Sequence, residues 1–144
     1  MIEINNLTTN LVDEKFLKKV AGKVLEEESA SWRKKEAELS IALVGQGRIR
    51  ELNKRYRGKN RATDVLVFPE LKVVKAQEVQ GLGEIIICFR EVKKNAKKYK
   101  SSFEKELARV LIHGILHLLG YDHEKSKATA LKMEEKQNYY LSKI

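Results

Sequence analysis

Three histidines near the C-terminal end of the sequence have the spacing of a metal site. His113, His117 and His123 are the only histidines among 144 residues, and they lie within the single run HGILHLLGYDH. On an α-helix, His113 and His117 would share one face, about one turn or roughly 6 Å apart. Gly120 suits a left-handed helix end, which would turn the chain so that His123 returns as a third ligand. Such a site could bind one divalent cation and leave a fourth position open for water.

A metal explains the histidine group better than core packing does. One histidine on an apolar helix is usually a core residue that is hydrogen-bonded to a carbonyl, but burying two imidazoles costs a few kcal/mol unless both have partners. We therefore expect His113, His117 and His123 to share one metal ion. Imidazole ligands suit zinc, nickel, copper or iron, so the spacing alone does not identify the metal.

Position 114 bears on the reaction that this metal would support. The spacing H-x-x-x-H-x-x-G-x-x-H is that of the extended zinc signature of metzincin proteases, in which a Glu at this position is the general base. Here the residue is Gly114, so metal chemistry other than peptide hydrolysis is favoured. Glycine inside a helix costs about 1 kcal/mol relative to alanine. Either close packing or open access beside the metal would explain it, and the sequence does not separate these two.

The charge of the chain predicts a polyanionic partner. Lysine and arginine number 29 against 20 acidic residues, which gives a net charge of +9. Between Arg48 and Arg61 there are seven basic residues and one acid, Glu51; between Lys93 and Lys100 there are five lysines and no acid. Nucleic acid is the common polyanion of the cytoplasm. For the lysine segment, a solvated surface of the kind that heat-adapted proteins use is an equal alternative.

Length and composition predict one domain of a cytoplasmic protein. We expect residues 1–144 to form a single metal-dependent hydrolase domain, large enough for a core without a structural metal. Cys88 is the only cysteine, so no intrachain disulfide can form. The N-terminal segment lacks a basic region followed by an apolar one, and no run is long enough to span a membrane. We therefore expect a cytoplasmic location without membrane contact.

The periodicity of apolar residues predicts an α+β fold, a mixed α/β sandwich with a sheet of three to five strands and about five helices. Strands are expected at residues 2–7, 38–44, 64–69 and 82–89, the last in an interior position. Helices are expected at 13–28 with Asp13 as N-cap, at 47–56, after Arg90, from about 101 through the histidines, and in the segment 124–143. The segment 57–63 is predicted to be a basic loop, and residues 70–80 to be irregular.

Particular side chains were assigned within these elements. Ile49, Leu52 and Tyr56 form the expected inner face of the second helix. Ser101 and Glu104 form a capping box for the histidine helix. That helix is apolar nearly all round, apart from one polar stripe formed by Arg109, His113 and His117, which predicts a buried central helix.

Three segments of the chain together resemble one known family. The run HGILHLLGYDH is similar to the signature H-G-x-L-H-L-x-G-Y-D-H of the YbeY family of endoribonucleases and ribosomal RNA maturation factors. A second segment, YRGKNRATDVLVFP, is similar to that family's Y-R-x-K-x-x-x-T-D-V-L-S-F-P. The third, LGEIIIC, is similar to its L-G-D-I-x-I. The resemblance implies zinc bound by His113, His117 and His123, and a distantly zincin-like fold. It also implies that Arg57 is the functionally important, catalytic arginine, with ribosomal RNA and the ribosome or ribosomal proteins as partners.

These observations predict a metal-dependent endoribonuclease of single-stranded RNA type that acts in ribosomal RNA processing and in ribosome maturation or quality control. Arg57 would clamp a phosphate, because its guanidinium can bind two phosphate oxygens at once. The general base is left open: Glu84 and Asp122 are candidates, and a metal-bound hydroxide would require neither. Glu84 stands where the family has Asp. Two alternatives remain: a metallopeptidase-like hydrolase, and a non-catalytic ribosome-assembly factor that binds RNA and carries a structural metal. The oligomeric state is not predicted.

Overall fold

Apolar segments of strand and helix type alternate along the chain, and they fold into a four-stranded sheet with helices on both faces. The computed structural model describes residues 1–34, 37–70, 80–122 and 124–144. The predicted α+β class is confirmed, with five helices of ten or more residues and one short helix in these ranges. The elements in chain order are β1 (Ile2–Asn6), α1 (Glu14–Glu28), α2 (Ala30–Arg33), β2 (Ala37–Val44), α3 (Gln46–Arg57), β3 (Val65–Pro69), β4 (Gln80–Cys88), α4 (Phe89–Lys98), α5 (Phe103–Leu118) and α6 (Lys127–Ser142).

The sheet is mixed, and its strand order is β1-β2-β4-β3. β1 pairs in parallel with β2, and β2 with β4, whereas β3 pairs antiparallel with β4. The isoleucine-rich β4 is therefore interior, as its apolar run predicted, because both of its edges are paired. β3 is an edge strand, and it follows the basic loop of residues 57–63.

Alternation along the strands divides the core between the two faces of the sheet. On one face, Ile85 and Ile87 of β4 pack with the buried sides of α1, α4 and α5. On the other face, Ile86 packs with residues of α3, such as Ile49 and Leu52. α5 is buried along most of its length, as its apolar composition predicted, and α6 packs against it.

The first helix has the predicted beginning and buried side. The Asp13 carboxylate accepts a hydrogen bond from the Phe16 backbone N–H, so Asp13 is the N-cap. The fully buried residues of α1 are Leu17, Val20, Ala21, Val24 and Leu25. These positions recur at three- and four-residue spacing, so their burial follows from the amphipathic pattern.

The inner face of α3 differs from the prediction at one position. Ile49 and Leu52 are buried, but Tyr56 is 52% exposed. The third buried residue is Asn53, whose side-chain amide donates to the Arg61 carbonyl at 2.9 Å. This hydrogen bond explains why a polar side chain can replace the tyrosine on the buried face.

The histidine helix begins one residue later than the predicted capping box. Ser102, not Ser101, is the N-cap, and its hydroxyl accepts from the Lys105 backbone N–H. Ser101 instead ends α4, because its N–H bonds the Ala96 carbonyl after Lys100 adopts a positive φ of 55°. The two adjacent serines therefore serve different helices.

The region between β3 and β4 lies largely outside the described residues. The irregular segment expected at residues 70–80 includes 71–79, of which the structure gives no description, whereas Gln80 belongs to β4. Within the described part of the chain, no helix is both long and apolar enough to cross a membrane.

Candidate metal centre and its cleft

Two of the three predicted ligands lie side by side on α5. The ring centroids of His113 and His117 are 4.8 Å apart and the rings are inclined at 72°. Both side chains are half-buried in an otherwise apolar helix. The four-residue spacing therefore brings two imidazoles together as predicted, close enough to contact one ion.

The helix ends immediately after this pair at the predicted glycine. Gly120 has a φ of +101°, its N–H bonds the His117 carbonyl, and the Tyr121 N–H bonds the Leu116 carbonyl at 3.0 Å. This pair of bonds is a Schellman motif, which reverses the chain direction at the helix end. Tyr121 and Asp122 therefore follow a sharp reversal of the chain at the end of α5.

The third ligand itself falls outside the described residues. His123 is not described, and among the described side chains no group of three His, Cys, Asp or Glu residues is arranged to hold a metal. The residues on either side are described. Tyr121 and Asp122 are half-buried, and the Asp122 carboxylate accepts from the Glu124 N–H at 2.8 Å. The assignment of His123 as a ligand therefore stays a prediction.

A glutamine on α6 fixes the tautomer of the first histidine. The Gln137 side-chain carbonyl oxygen lies 2.9 Å from His113 Nδ1. Because a carbonyl oxygen only accepts, Nδ1 carries the proton and the lone pair is on Nε2. A hydrogen bond from the second ring nitrogen is the usual way in which proteins orient a metal-binding histidine. Nε2 is therefore the atom of His113 suited to bind a metal.

A carboxylate anchors the chain that follows α5. Glu28, at the end of α1, accepts hydrogen bonds from Tyr121 at 2.7 Å, from Lys136 at 3.0 Å and from Tyr140. Burial alone would raise the pKa of Glu28, but the hydrogen bonds from Tyr140, Tyr121 and Lys136 outweigh it and hold the pKa below 4.5. The ionised carboxylate thus ties the turn beside the predicted third ligand to α1 and α6.

The histidines form one wall of a cleft of about 770 Å³. The other wall is the predicted basic loop together with β3, and the end of the loop after α5 closes one side. Four cationic side chains line it against two carboxylates: Arg57, Lys59, Arg61 and Lys125, with Asp122 and Glu124. The cleft is therefore electropositive and suits an anionic ligand.

Arg57 lies on this wall, at the end of α3. One of its guanidinium nitrogens donates to the Val67 carbonyl of β3 at 2.7 Å, and the guanidinium carbon is 5.3 Å from the centroid of the Phe68 ring. These contacts orient an exposed side chain, and a guanidinium has further N–H donors beyond the one used. The structure thus brings Arg57 and the two histidines into the same cleft.

The basic loop is held by hydrogen bonds from α3. Gly58 ends that helix with a φ of +72°, and the Asn53 amide donates to the Arg61 carbonyl. The Arg50 guanidinium also donates to the Asn60 side chain at 2.9 Å. The loop is therefore fixed to the helix that precedes it, so its cations are presented to the cleft in a defined position.

Gly114 faces the sheet, which settles the choice between packing and access. A Cβ added there would lie 3.1 Å from Cγ2 and 3.2 Å from Cδ1 of Ile85. Gly114 is buried, and a side chain there would fit only if Ile85 shifted by a few tenths of an ångström, so close packing of α5 on β4 accounts for the glycine. No carboxylate at this position takes part in the site.

The two carboxylates considered as general base have different locations. Asp122 lines the cleft. Glu84 does not: it lies in a separate groove with Glu3, Glu38 and Glu70, within hydrogen-bonding reach of Ser40 at 3.5 Å. Neighbouring strand residues point to opposite faces, and Ile85 faces α5. Glu84 therefore lies on the face away from the histidines, and its candidacy as the base is wrong.

Two residues that support the site were missed by the sequence reasoning. Gln137 is 24 positions beyond His113, and Glu28 is 93 positions before Tyr121. Both are half-buried polar residues on helices that also carry many exposed polar residues. The sequence alone does not show which polar group they contact.

Comparison with known proteins gives one consistent result. The family model described as Endoribonuclease YbeY matches residues 3–144. Proteins named Endoribonuclease YbeY from Thermotoga neapolitana and Thermodesulfovibrio yellowstonii are 46% and 48% identical over 105 and 109 residues, 73% and 74% of this chain. The matched part spans 66% of the length of each of these relatives, just under two thirds.

Longer matches extend this similarity over nearly the whole chain. A Sulfurihydrogenibium protein with the same name is 38% identical over 133 residues, 92% of this chain and 84% of its own length. A solution structure from Thermotoga maritima is 36% identical and superposes with a TM-score of 0.66, covering 98% of this chain and 87% of that one. The chain therefore belongs to the YbeY endoribonuclease family.

Proposed function

We propose that this chain is a metal-dependent endoribonuclease that acts on ribosomal RNA. The observation that carries the proposal is that the histidine pair of α5, Arg57 and the basic loop line one and the same cleft. A metal site beside a phosphate-binding surface suits hydrolysis of a phosphodiester, because the ion and the neighbouring cations can stabilise the negative charge of the transition state. The names of the relatives, Endoribonuclease YbeY, support the same reaction.

The donor set fits a divalent cation, which we propose to be zinc bound by His113, His117 and His123. The two described imidazoles are adjacent, and Gln137 leaves Nε2 of His113 as the ligating atom. Three neutral imidazoles with an open fourth position are typical of catalytic zinc sites. The bound ion would stabilise negative charge on a phosphate oxygen and lower the pKa of a water molecule.

Arg57 and the basic loop would bind and orient the RNA backbone. The hydrogen bond to Val67 and the contact with Phe68 hold the guanidinium in place before substrate arrives. A guanidinium held in this way can bind phosphate through two parallel N–H donors and stabilise the charge that develops on it. Asp122 borders the cleft and is the carboxylate that we propose for accepting a proton.

The wider role follows from the family. We propose ribosomal RNA within ribosomal particles as the substrate, processing or quality control of that RNA as the purpose, and the cytoplasm as the location. The whole of residues 1–144 would act as one catalytic domain, because elements from both ends of the chain, α1 and α6, support the metal helix.

The decisive experiment measures metal content and RNA cleavage on the same preparation. A chelator should abolish cleavage of ribosomal RNA and re-addition of zinc should restore it, and His117→Ala should remove both the metal and the activity. A protein that cleaves RNA equally well with and without metal would contradict the proposal. One that needs the metal for folding but never cleaves would instead be an RNA-binding assembly factor.

Arg57→Glu separates the arginine from the metal. We expect cleavage to fall at least about a hundredfold with unchanged zinc content, because one oriented charge in a transition state contributes about 3 kcal/mol. Arg48→Glu is the matched control: Arg48 is exposed in the same basic segment, but it pairs with Glu51 at 3.2 Å and does not line the cleft. Loss of metal in the Arg57 variant would refute the clamp assignment.

The metallopeptidase alternative has little support in the geometry. Position 114 faces Ile85 of the sheet and does not line the cleft, and it carries no carboxylate that could act as the general base. Incubating the native chain with denatured protein tests this directly. Peptide cleavage that depends on the metal would overturn the endoribonuclease proposal.

A further inference from the structure

A pair of aromatic rings lies beside the cleft, and the exposed member, Tyr56, is the residue that the sequence pattern predicted to be buried. Tyr56, in the last turn of α3, is 52% exposed. Its ring meets Phe68 of β3 edge to face, with centroids 5.4 Å apart and an interplanar angle of 75°. Phe68 is half-buried against the core on the α3 face of the sheet. The tyrosine is thus held in position by its neighbour while much of its surface remains open to solvent.

Cations accompany both rings. The guanidinium carbon of Arg57 is 5.3 Å from the Phe68 centroid, and that of Arg55 is 5.5 Å from the Tyr56 centroid. Exposed aromatic rings with arginine beside them are the usual composition of sites for single-stranded nucleic acid, in which rings stack on bases and cations bind phosphates. An apolar protein partner would not require this density of positive charge.

The aromatic pair continues the cleft rather than forming a separate site. Val67 and Phe68 are consecutive in the edge strand β3, so they point to opposite faces of the sheet. Arg57 contacts both of them, through the Val67 carbonyl and the Phe68 ring, and it also lines the cleft. A strand of RNA that leaves the histidines across this edge would meet Arg57 first and the rings next.

Carboxylates border the aromatic pair on the side away from the cleft and limit where the RNA backbone can run. Phe68 and Pro69 also line the groove that contains Glu3, Glu38, Glu70 and Glu84. An RNA backbone would be repelled from that groove, whereas an uncharged base could still reach the rings. The charge pattern therefore favours a base on the aromatic pair with its phosphates kept on the Arg57 side.

We propose that Tyr56, supported by Phe68, stacks on one unpaired base of the bound RNA while Arg57 binds a neighbouring phosphate. This inference rests on the RNA substrate of the proposed function and adds the residue pair that would select an unpaired base at this edge. A paired base is already stacked within its helix and has no open face to offer, so duplex RNA gains nothing from the tyrosine.

Binding measurements with matched variants test the stacking. The full chain, as purified, is titrated against a short labelled single-stranded RNA and against its blunt duplex, with the RNA shown to stay intact. Tyr56→Ala should raise the Kd for the single strand about tenfold and leave the Kd for the duplex unchanged, because one stacked base contributes roughly 1–3 kcal/mol. Tyr56→Phe keeps the ring and should bind like the native chain.

Two further variants control for folding and for general charge. Tyr56→Leu keeps an apolar contact with Phe68 but has no aromatic face, and it should lose single-strand binding as the alanine variant does. Tyr99→Ala removes another exposed tyrosine with a cation beside it, Lys98 at 5.4 Å, that does not line the cleft, and it should change nothing. In a series of RNAs that each lack one base, one member should bind the native chain and the Tyr56→Ala variant with the same Kd.

The outcomes separate this inference from the function on which it rests. If the native chain binds single-stranded RNA and Tyr56→Ala binds it equally well, the stacking proposal is wrong and the proposed function stands. Equal weakening for single strand and duplex would also refute stacking. A native chain that binds no RNA would contradict both.

Discussion

The Gln137 amide decides which nitrogen of His113 can reach a metal. It holds the proton on Nδ1 and so presents the lone pair of Nε2. It also limits rotation of the ring, which leaves less entropy to lose when an ion binds. A single neutral side chain on a neighbouring helix thus orients the first predicted ligand.

We expect Gln137→Leu to weaken zinc binding by about 10–100-fold, because the imidazole loses the acceptor that orients it. Competition with a chromophoric chelator measures this affinity directly. Asn138→Leu, which changes an exposed amide one position along the same helix, is the control and should leave the affinity unchanged. Equal zinc affinity in the native chain and the Gln137 variant would show that the hydrogen bond has no role in the site.

Glu28 makes the stability of the chain depend on pH in the acidic range. Its pKa is held below 4.5 in the folded state, chiefly because the hydrogen bonds from Tyr140, Tyr121 and Lys136 outweigh the effect of burial. A depressed pKa means that the unfolded chain takes up the proton first, so ionised Glu28 stabilises the fold above that pH. This contribution is lost as the pH falls below 4.5 and through the folded-state pKa.

The variant Glu28→Gln should therefore be less stable than the native chain at neutral pH, and the difference should shrink as the pH falls below 4.5. Urea unfolding of both proteins at neutral and acidic pH measures it. Because Glu26 lies on the same helix and is exposed, Glu26→Gln serves as the control and should show little change. A pH-independent difference between the two proteins would mean that the ionised form is not the stabilising one.

A bulge in β4 brings α5 and the edge strand β3 close together. Pairing with β2 shifts register between Glu38 and Leu39, which are opposite Gly81 and Gly83. Gly83 has a φ of +138°, and a Cβ there would lie 2.4 Å from the Phe68 carbonyl oxygen and 2.7 Å from Cδ2 of Leu118. The end of α5 that carries His117 can approach β3 only because this position has no side chain.

Gly83→Ala should cost at least about 2 kcal/mol of unfolding free energy, because it combines an unfavourable φ with a clash against backbone. In a thermal scan this is a fall in Tm of about 5 °C or more. Gly22→Ala should instead raise the free energy of unfolding. Its Cβ would meet nothing within 4 Å, and alanine favours the helix by about 1 kcal/mol. A Gly83 variant as stable as the native chain would contradict the crowding described here.

Elements with regular periodicity could be predicted from the sequence, whereas their contacts could not. The amphipathic α1 and the isoleucine-rich β4 are where the pattern places them, because burial of one side dominates their energetics. The burial of Tyr56 was predicted wrongly because Asn53, three positions earlier, takes the buried position by donating a hydrogen bond to the Arg61 carbonyl. The start of α5 was misplaced by one residue because either of two serines could cap it.

The same distinction holds for the site. The pairing of His113 with His117 follows from helix geometry, which is local. The position of Glu84 depends on which face of the sheet packs on α5, and that is decided by the tertiary fold. The supporting residues come from helices at both ends of the chain, so no local pattern reveals them.

The chain as a whole has a core that does not depend on metal. Its buried apolar residues form two clusters, one on each face of the sheet, and the larger extends from α1 to α6. A domain of this length can reach marginal stability by burial alone. The metal is thus expected to serve the reaction rather than the fold.

Removal of zinc should therefore leave a cooperatively folded protein. We expect the chelated chain to keep its far-ultraviolet circular dichroism and a single thermal transition, with Tm lowered only by the free energy of metal binding. His117→Ala should behave like the chelated native chain and should not respond to added zinc. Loss of the cooperative transition on chelation would assign the metal a structural role.

Arg57 and Pro69 together hinder the pairing of a strand from another molecule with β3. Among the described strands β3 is the last in the sheet, and an edge strand of this kind invites pairing with a strand of another chain. The arginine occupies the Val67 carbonyl that such a strand would need, and the proline offers no N–H. The edge beside the cleft is thereby closed to β-sheet extension, which disfavours both aggregation through this strand and the capture of an extended peptide.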